Sequence, residues 1–407
     1  MKKAPMLSVD EALDQILKAV EPISRSEKVM TLQALDRILA DDVLSYVTVP
    51  SFDNSAMDGY AVSMADLSGE PPWRLPVSQR IAAGHPGAAL QAGTAARIFT
   101  GAPIPAGADA VVMQEDCTTE EDAVLINKKP SSGSHIRRAG EDMREGEVVL
   151  KAGTRLTPAH MGVAAAAGLA KLPVRPRLRV AVFYTGDEIV MPGESLKPGQ
   201  IYNSNRFSLT GLLQRYGVEL VDYGIVPDKL DTTRAVLERA AASADLVITS
   251  GGVSVGEEDH VRAAVESLGQ LELWRIAMKP GKPLAFGRVQ KTPFVGLPGN
   301  PVSTYVTFLL FVLPLLRRLQ GENAPMPVVY PVKAAFDWPV AGNRREYLRA
   351  RLEPAESGQL SVNIFPNQGS GVLTSVAWAE GLVDIAIGQT VQAGDVVSFI
   401  PFYGTHP

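Results

Sequence analysis

The chain has 407 residues, too many for one ordinary hydrophobic core, so two to four domains are expected. With 46% hydrophobic and 20% charged residues it reads as a soluble globular protein, and a formal net charge of −5 argues against a nucleic-acid-binding face, which is normally basic. Its one cysteine, Cys117, excludes an intrachain disulfide framework and a Cys-based zinc site, and suits a reducing cytoplasm.

The opening stretch MKKAPMLSVDEALDQI turns acidic where a secretory signal would be apolar. Residues 8–20 begin with a Ser cap and carry apolar spacing of three and four, which predicts a helix; 31–39 is a second helix candidate. From 43 to about 149 the texture changes to short β-type runs broken by Gly and Pro, as in an inserted all-β domain. Residues 157–170 return to helix, with Thr157 as cap and Pro158 in the first turn.

Pro173 and Pro176 then mark a boundary. Beyond it, apolar runs at 179–183, 218–223, 245–249, 284–286 and 293–295 alternate with helix-like stretches at 206–216 and 231–242. Runs of this kind without polar alternation read as strands buried on both faces, and the alternation of strand and helix predicts an open parallel α/β sheet. Residues 302–316 are the most apolar segment. They follow a GNP turn and contain Pro314, which fits a buried helix better than a membrane span. After a Pro-rich linker, 327–407 carry a turn-rich β pattern.

In open α/β sheets ligands bind beyond the carboxyl ends of the strands. Four polar or glycine-rich turns are expected to gather on that edge: Thr185-Gly-Asp-Glu188, Ser250 to Asp259 (SGGVSVGEED), Lys279-Pro-Gly-Lys-Pro283, which precedes the run 284–286, and Gly296-Leu-Pro-Gly-Asn-Pro-Val-Ser303. Gly251, Gly252 and Ser254 allow close backbone approach to an anionic ligand. The carboxylates Glu257, Glu258 and Asp259 just beyond them imply a divalent cation, because bare carboxylates repel phosphate. The other reading of that stretch is a glycine turn ahead of an acidic helix start. Lys279 and Lys282 flank a Pro-Gly turn with no compensating acid nearby in sequence, which suggests an oxyanion site, or else a solvated basic turn. In the β region, Asp58 stands in a DG pair within 52–61. Arg137 or Arg138 could clamp a phosphate, or could pair with Glu141 and Asp142. The histidines show no metal-ligand spacing, and no Walker A loop is present.

DNSAMDGYA, TGAP, RRAGED, TGDE, NSN at 203–205, SGGVSVGEED, KPGKP, GLPGNPVS and QGSG occur in that order. The ordered set resembles the molybdopterin molybdenumtransferases, called MoeA in bacteria and related to the gephyrin E domain of animals. The resemblance implies insertion of molybdate into the dithiolene of adenylylated molybdopterin with release of AMP. It also implies an elongated homodimer whose clefts join the α/β domain of one subunit to the β insertion of the other. The implied fold is α/β multidomain: a molybdopterin-binding-like α/β domain, a β-rich insertion, a small linking domain and a C-terminal β-barrel-like domain. The corresponding boundaries are 1–26 for an N-terminal helix packing on the α/β domain, 27–46 with 147–177 for the linking domain, 47–146 for the insertion, 178–324 for the α/β domain and 325–407 for the terminal domain.

The family's functional positions fall on Asp58, Thr100, Arg137, Asp142, Glu188, Asp228, Asp259, Lys279, Pro298 and Pro301. Lys282, Arg349 and Ser370 match its oxyanion-binding positions. Arg275 stands where some relatives carry Lys, and His260 where an aromatic residue is expected. Glu188, Asp228 and Asp259 would hold Mg²⁺. The expected partners are adenylylated molybdopterin, molybdate, a second copy of the chain and, as a candidate, molybdopterin adenylyltransferase; neither nucleic acid nor membrane is expected. Two alternatives accompany this reading: an adenylyltransferase, whose relatives usually consist of the α/β domain alone, and a gephyrin-like receptor-clustering scaffold. With one cysteine in the chain, the soft sulfurs that hold molybdenum must come from the substrate, leaving hard molybdate to Lys, Arg and Ser.

Overall fold

The computed structural model describes residues 6–252, 260–323, 326–354 and 358–402. The chain forms two compact units, one of Met1–Glu27, Asp36–Ile38 and Arg175–Pro407, the other of Lys28–Leu35 and Leu39–Val174.

The first unit is built on a six-stranded sheet in the order Glu219–Ile225, Arg179–Tyr184, Leu246–Ser250, Thr292–Leu297, Pro283–Val289, Gly269–Arg275. The first four strands are parallel. The last two pairings are antiparallel, so the sheet is mixed where an all-parallel one was expected. The reason is local: only Gln290 and Lys291 separate two of these strands, and a two-residue link permits a hairpin but no crossover. Gln290 takes the left-handed backbone conformation such turns use, φ 54°. Period-two alternation feeds two cores. Val180, Val182 and Tyr184 face one, while Ala181 and Phe183 face the other.

The first core also receives Leu13 and Ile16 of the N-terminal helix Val9–Lys18. That helix starts on a capping box, with Ser8 Oγ accepting from Glu11 N and Glu11 Oε2 accepting from Ser8 N. The apolar stretch is the continuous helix Pro301–Leu319, 94% buried inside the protein, as the sequence suggested. Its middle, Phe308–Val312, widens to a π turn, so that Leu313 N donates to Phe308 O. Pro314 follows at once, where the ring removes a donor and crowds the preceding turn.

Five strands of the same unit close into a barrel. Arg345–Pro354 pairs with Leu360–Ile364 and Gly381–Ile385; Val396–Pro401 joins Gly381–Ile385 to Tyr330–Ala334, which returns to Leu360–Ile364. Met278–Lys279 adds to it by pairing in parallel with Arg345–Pro354.

The second unit holds a six-stranded sheet ordered Ala110–Met113, Gly59–Val62, Ala95–Ile98, Trp73–Ile81, Ala123–Ile126, Cys117–Thr119. Its helix is Pro158–Ala166, capped by Thr157. The helix expected at 31–39 does not form. Thr31–Gln33 make a single 3-10 turn, Thr31 Oγ1 donates to Leu169 O, and Asp36 adopts φ 60°. Tertiary hydrogen bonds override the helical spacing there.

Candidate active site

All four parallel strands of the first unit deliver their carboxyl ends to one cavity of about 790 Å³. Thr185, Gly186 and Glu188 follow the first of these strands in sequence, and Asp228 the second. Ser250, Gly251 and Gly252 come from the third, and Pro298, Gly299, Asn300 and Pro301 from the fourth. The turn Lys279–Lys282, Arg344 and the loop 368–370 complete the wall.

The loops are tied together by side-chain hydrogen bonds. Asn205 Nδ2 donates to Ser250 Oγ at 2.9 Å and to Gly299 O at 2.7 Å, and Ser250 Oγ donates to Pro298 O at 3.1 Å. Asn205 and Ser250 are both buried, so these bonds face little competition from water. Gly251 is required where it stands. Its φ is +95°, and a Cβ there would lie 2.4 Å from Thr185 O. Gly281, at φ +102°, lets the lysine turn pass Thr307 Oγ1, which a Cβ would approach to 2.6 Å.

Both charge signs reach the wall. Lys279 Nζ donates to Glu346 Oε2 at 3.0 Å, so the acid missing from the local sequence arrives from the barrel strand. Arg344 lines the cavity and donates through Nη1 to Met278 O. Arg349 does not line it. Its side chain is buried under the 368–370 loop, donating to Ser375 Oγ at 3.0 Å, Tyr347 O at 3.3 Å and Gly369 O at 3.3 Å. Loss of solvent pulls its guanidinium down to about 10, still charged at neutral pH. Arg349 therefore reaches the pocket only through the loop that carries Ser370. Sequence reasoning missed Arg344; its place beside the start of an inward strand was the available signal.

Of the expected residues, Glu188, Asp228, Gly251, Gly252, Lys279, Lys282, Pro298, Pro301 and Ser370 meet on this wall. Ser254, Glu257, Glu258 and Asp259 lie outside the described residues. Asp58, Thr100, Arg137 and Asp142 belong to the second unit. There, Asp58 Oδ1 accepts from both Thr100 N and Thr100 Oγ1 at 2.8 Å, which holds its carboxyl below the usual range. Arg138 Nη1 donates to Asp53 Oδ2 at 2.6 Å, so Arg138 is engaged in structure. Arg137 is exposed on Ile136–Arg137, paired with Asn54 across the short ladder. Cys117 is half-buried, its thiol pushed up to about 11 by burial and then by Asp116, which makes it a poor soft ligand.

Three family models match successive parts of the chain: MoeA N-terminal region (domain I and II) over 7–168, probable molybdopterin binding domain over 181–318, and MoeA C-terminal region (domain IV) over 331–402. The molybdopterin molybdenumtransferase of Haemophilus influenzae is 40% identical over 403 residues, 98% of this chain and 99% of the relative. Molybdopterin molybdenumtransferase 2 of Mycobacterium tuberculosis is 40% identical over 411 residues, 96% of this chain and 100% of the relative. A crystal structure of the molybdopterin biosynthesis MoeA protein from Pyrococcus horikoshii OT3 superposes with a TM-score of 0.85 at 29% identity, covering 98% of this chain and 100% of that one. Similarity of this extent, carried end to end, means that the chain belongs to the molybdopterin molybdenumtransferase family.

Proposed function

We propose that the chain inserts molybdate into the dithiolene of adenylylated molybdopterin with release of AMP. The observation that carries this reading is the juxtaposition, on one cavity wall, of a lysine turn with Arg344 and of the carboxylates Glu188 and Asp228. The cationic part suits molybdate, a hard dianion received by Lys279, Lys282, Arg344 and Ser370. The acidic part suits a phosphate held through a divalent cation.

The residues present fit Mg²⁺. Asp228 Oδ1 is buried without a hydrogen-bond partner among the described residues. Glu188 bends back over Gly186, where a Cβ would meet its Oε2 at 2.6 Å. No cluster of three or more His, Cys, Asp or Glu suited to a metal occurs among the described residues, and Mg²⁺ typically takes one or two carboxylates plus substrate phosphates. Glu188 and Asp228, with Asp259, would hold it, and its contribution when bound is neutralisation of phosphate charge. The protein's own part is positional. The strand ends place two anions side by side, and proximity of this kind removes much of the entropic barrier to transfer.

The acting form in this reading is a cytoplasmic homodimer. Its support is that the functional acids divide between units, Asp58 and Asp142 in one, Glu188 and Asp228 in the other. A cleft completed by the partner subunit would reunite them. Molybdopterin adenylyltransferase is the candidate supplier of substrate. Incubation of the purified protein with adenylylated molybdopterin, Mg²⁺ and molybdate tests the proposal: AMP release must depend on molybdate, and AMP release indifferent to it would refute the assignment.

A further inference from the structure

Lys279 lies opposite Glu346 because Met278–Lys279 pairs in parallel with the barrel strand Arg345–Pro354. The two side chains meet at 3.0 Å, but their surroundings differ. The lysine side chain keeps 45% of its exposure and the carboxylate 9%. Lys279 is on the cavity wall and Glu346 is not. The carboxylate sits behind the ammonium, in room left by Gly342, where a Cβ would come within 2.5 Å of Glu346 Oε1.

A carboxylate this buried is costly to leave unpaired. An anion entering the cavity must therefore share Lys279 with Glu346 rather than take it away. Of three ammonium donors one is committed, which fixes where the other two point. We infer that Glu346 is a positioning residue and internal counter-ion for Lys279, aiming the ammonium into the cavity while holding down the turn's affinity for oxyanions. Without that compensation, a turn carrying two lysines beside Arg344 would bind any tetrahedral dianion tightly, sulfate and phosphate included, and release it slowly.

The inference rests on the proposed reading that this turn receives molybdate. The experiment is equilibrium titration of molybdate and of sulfate into the intact protein and its variants. Glu346→Gln is expected to tighten both by about tenfold, the scale of one charge-assisted contact, and Glu346→Asp to stay within about twofold of the parent. In a Lys279→Gln background, Glu346→Gln should change neither affinity, a result that a merely structural role does not produce. Should Glu346→Gln not fold, Gly342→Ala displaces the carboxylate sterically and should tighten binding as well. Lysine-dependent binding that Glu346→Gln, or Gly342→Ala in its place, leaves unchanged or weaker overturns the inference alone. Molybdate that fails to bind the parent, or binds Lys279→Gln as tightly, overturns the oxyanion reading of the turn and the role of Glu346 with it.

Discussion

One oxygen of Asp58 takes both hydrogen bonds that Thr100 can offer, backbone N–H and hydroxyl, each at 2.8 Å. Both favour the charged carboxylate, so its folded pKa lies below the ordinary value. Whatever stability this linkage contributes is present above the unfolded pKa, about 3.9, and is lost as pH falls through the lowered value. Thr100→Val removes the hydroxyl and keeps the backbone bond. The Asp58 carboxyl titration followed by NMR should then move up toward the ordinary range, and a midpoint unmoved by the substitution would contradict the assignment.

Lys279→Ala and Lys282→Ala should each weaken molybdate binding. Loss of a charge-assisted hydrogen bond costs roughly 1.5–3 kcal/mol, which is about tenfold to a hundredfold in affinity. Binding of adenylylated molybdopterin should change little, and raised molybdate should recover part of the rate. If the variants instead lose the pterin while molybdate dependence stays as in the parent, the turn serves the phosphate.

Asn205 is the knot between two strand ends, and its Nδ2 donates to an acceptor at each, Ser250 Oγ and Gly299 O. Asn205→Asp keeps the shape but cannot donate to Gly299 O, and it sets a carboxylate against that carbonyl. Asp should therefore be at least as damaging as Ala in kcat/KM. An Asp variant matching the parent would mean that this knot does not hold the loops.

Gly251→Ala combines a left-handed φ with a contact of 2.4 Å to Thr185 O. Strain of this kind costs roughly 1–3 kcal/mol and is expected to lower the denaturation midpoint without changing the denaturant m value. An unaltered midpoint would show that the loop can shift without cost.

The two sets of acids can be tested for membership of one cleft. Asp58→Ala and Glu188→Ala proteins should each be nearly inactive, and mixing them under conditions of proven subunit exchange should restore activity through heterodimers carrying one intact cleft. Absence of complementation would place the two sets in separate sites.

What was legible in the amino-acid order is what short stretches decide on their own. The β-branched runs declare buried strands, Ser8 and Glu11 cap a helix, and Pro and Gly punctuate the turns that carry the chemistry. The ordered motifs pointed to the family, whose relatives match almost the whole chain. Tertiary structure alone decided matters that depend on distant partners. Residues 31–39 carry helical spacing, yet bonds to Leu169 and Ala170 leave only one turn. The barrel closes because Tyr330–Ala334 finds two strand partners far along the chain. Arg344 reaches the cavity and Arg349 does not, although four residues separate two identical side chains. Lys279 lacked an acid in its own turn and found Glu346 through a strand pairing 67 residues away. Propensity and periodicity are properties of neighbours in sequence, whereas charge compensation and burial are set by neighbours in space.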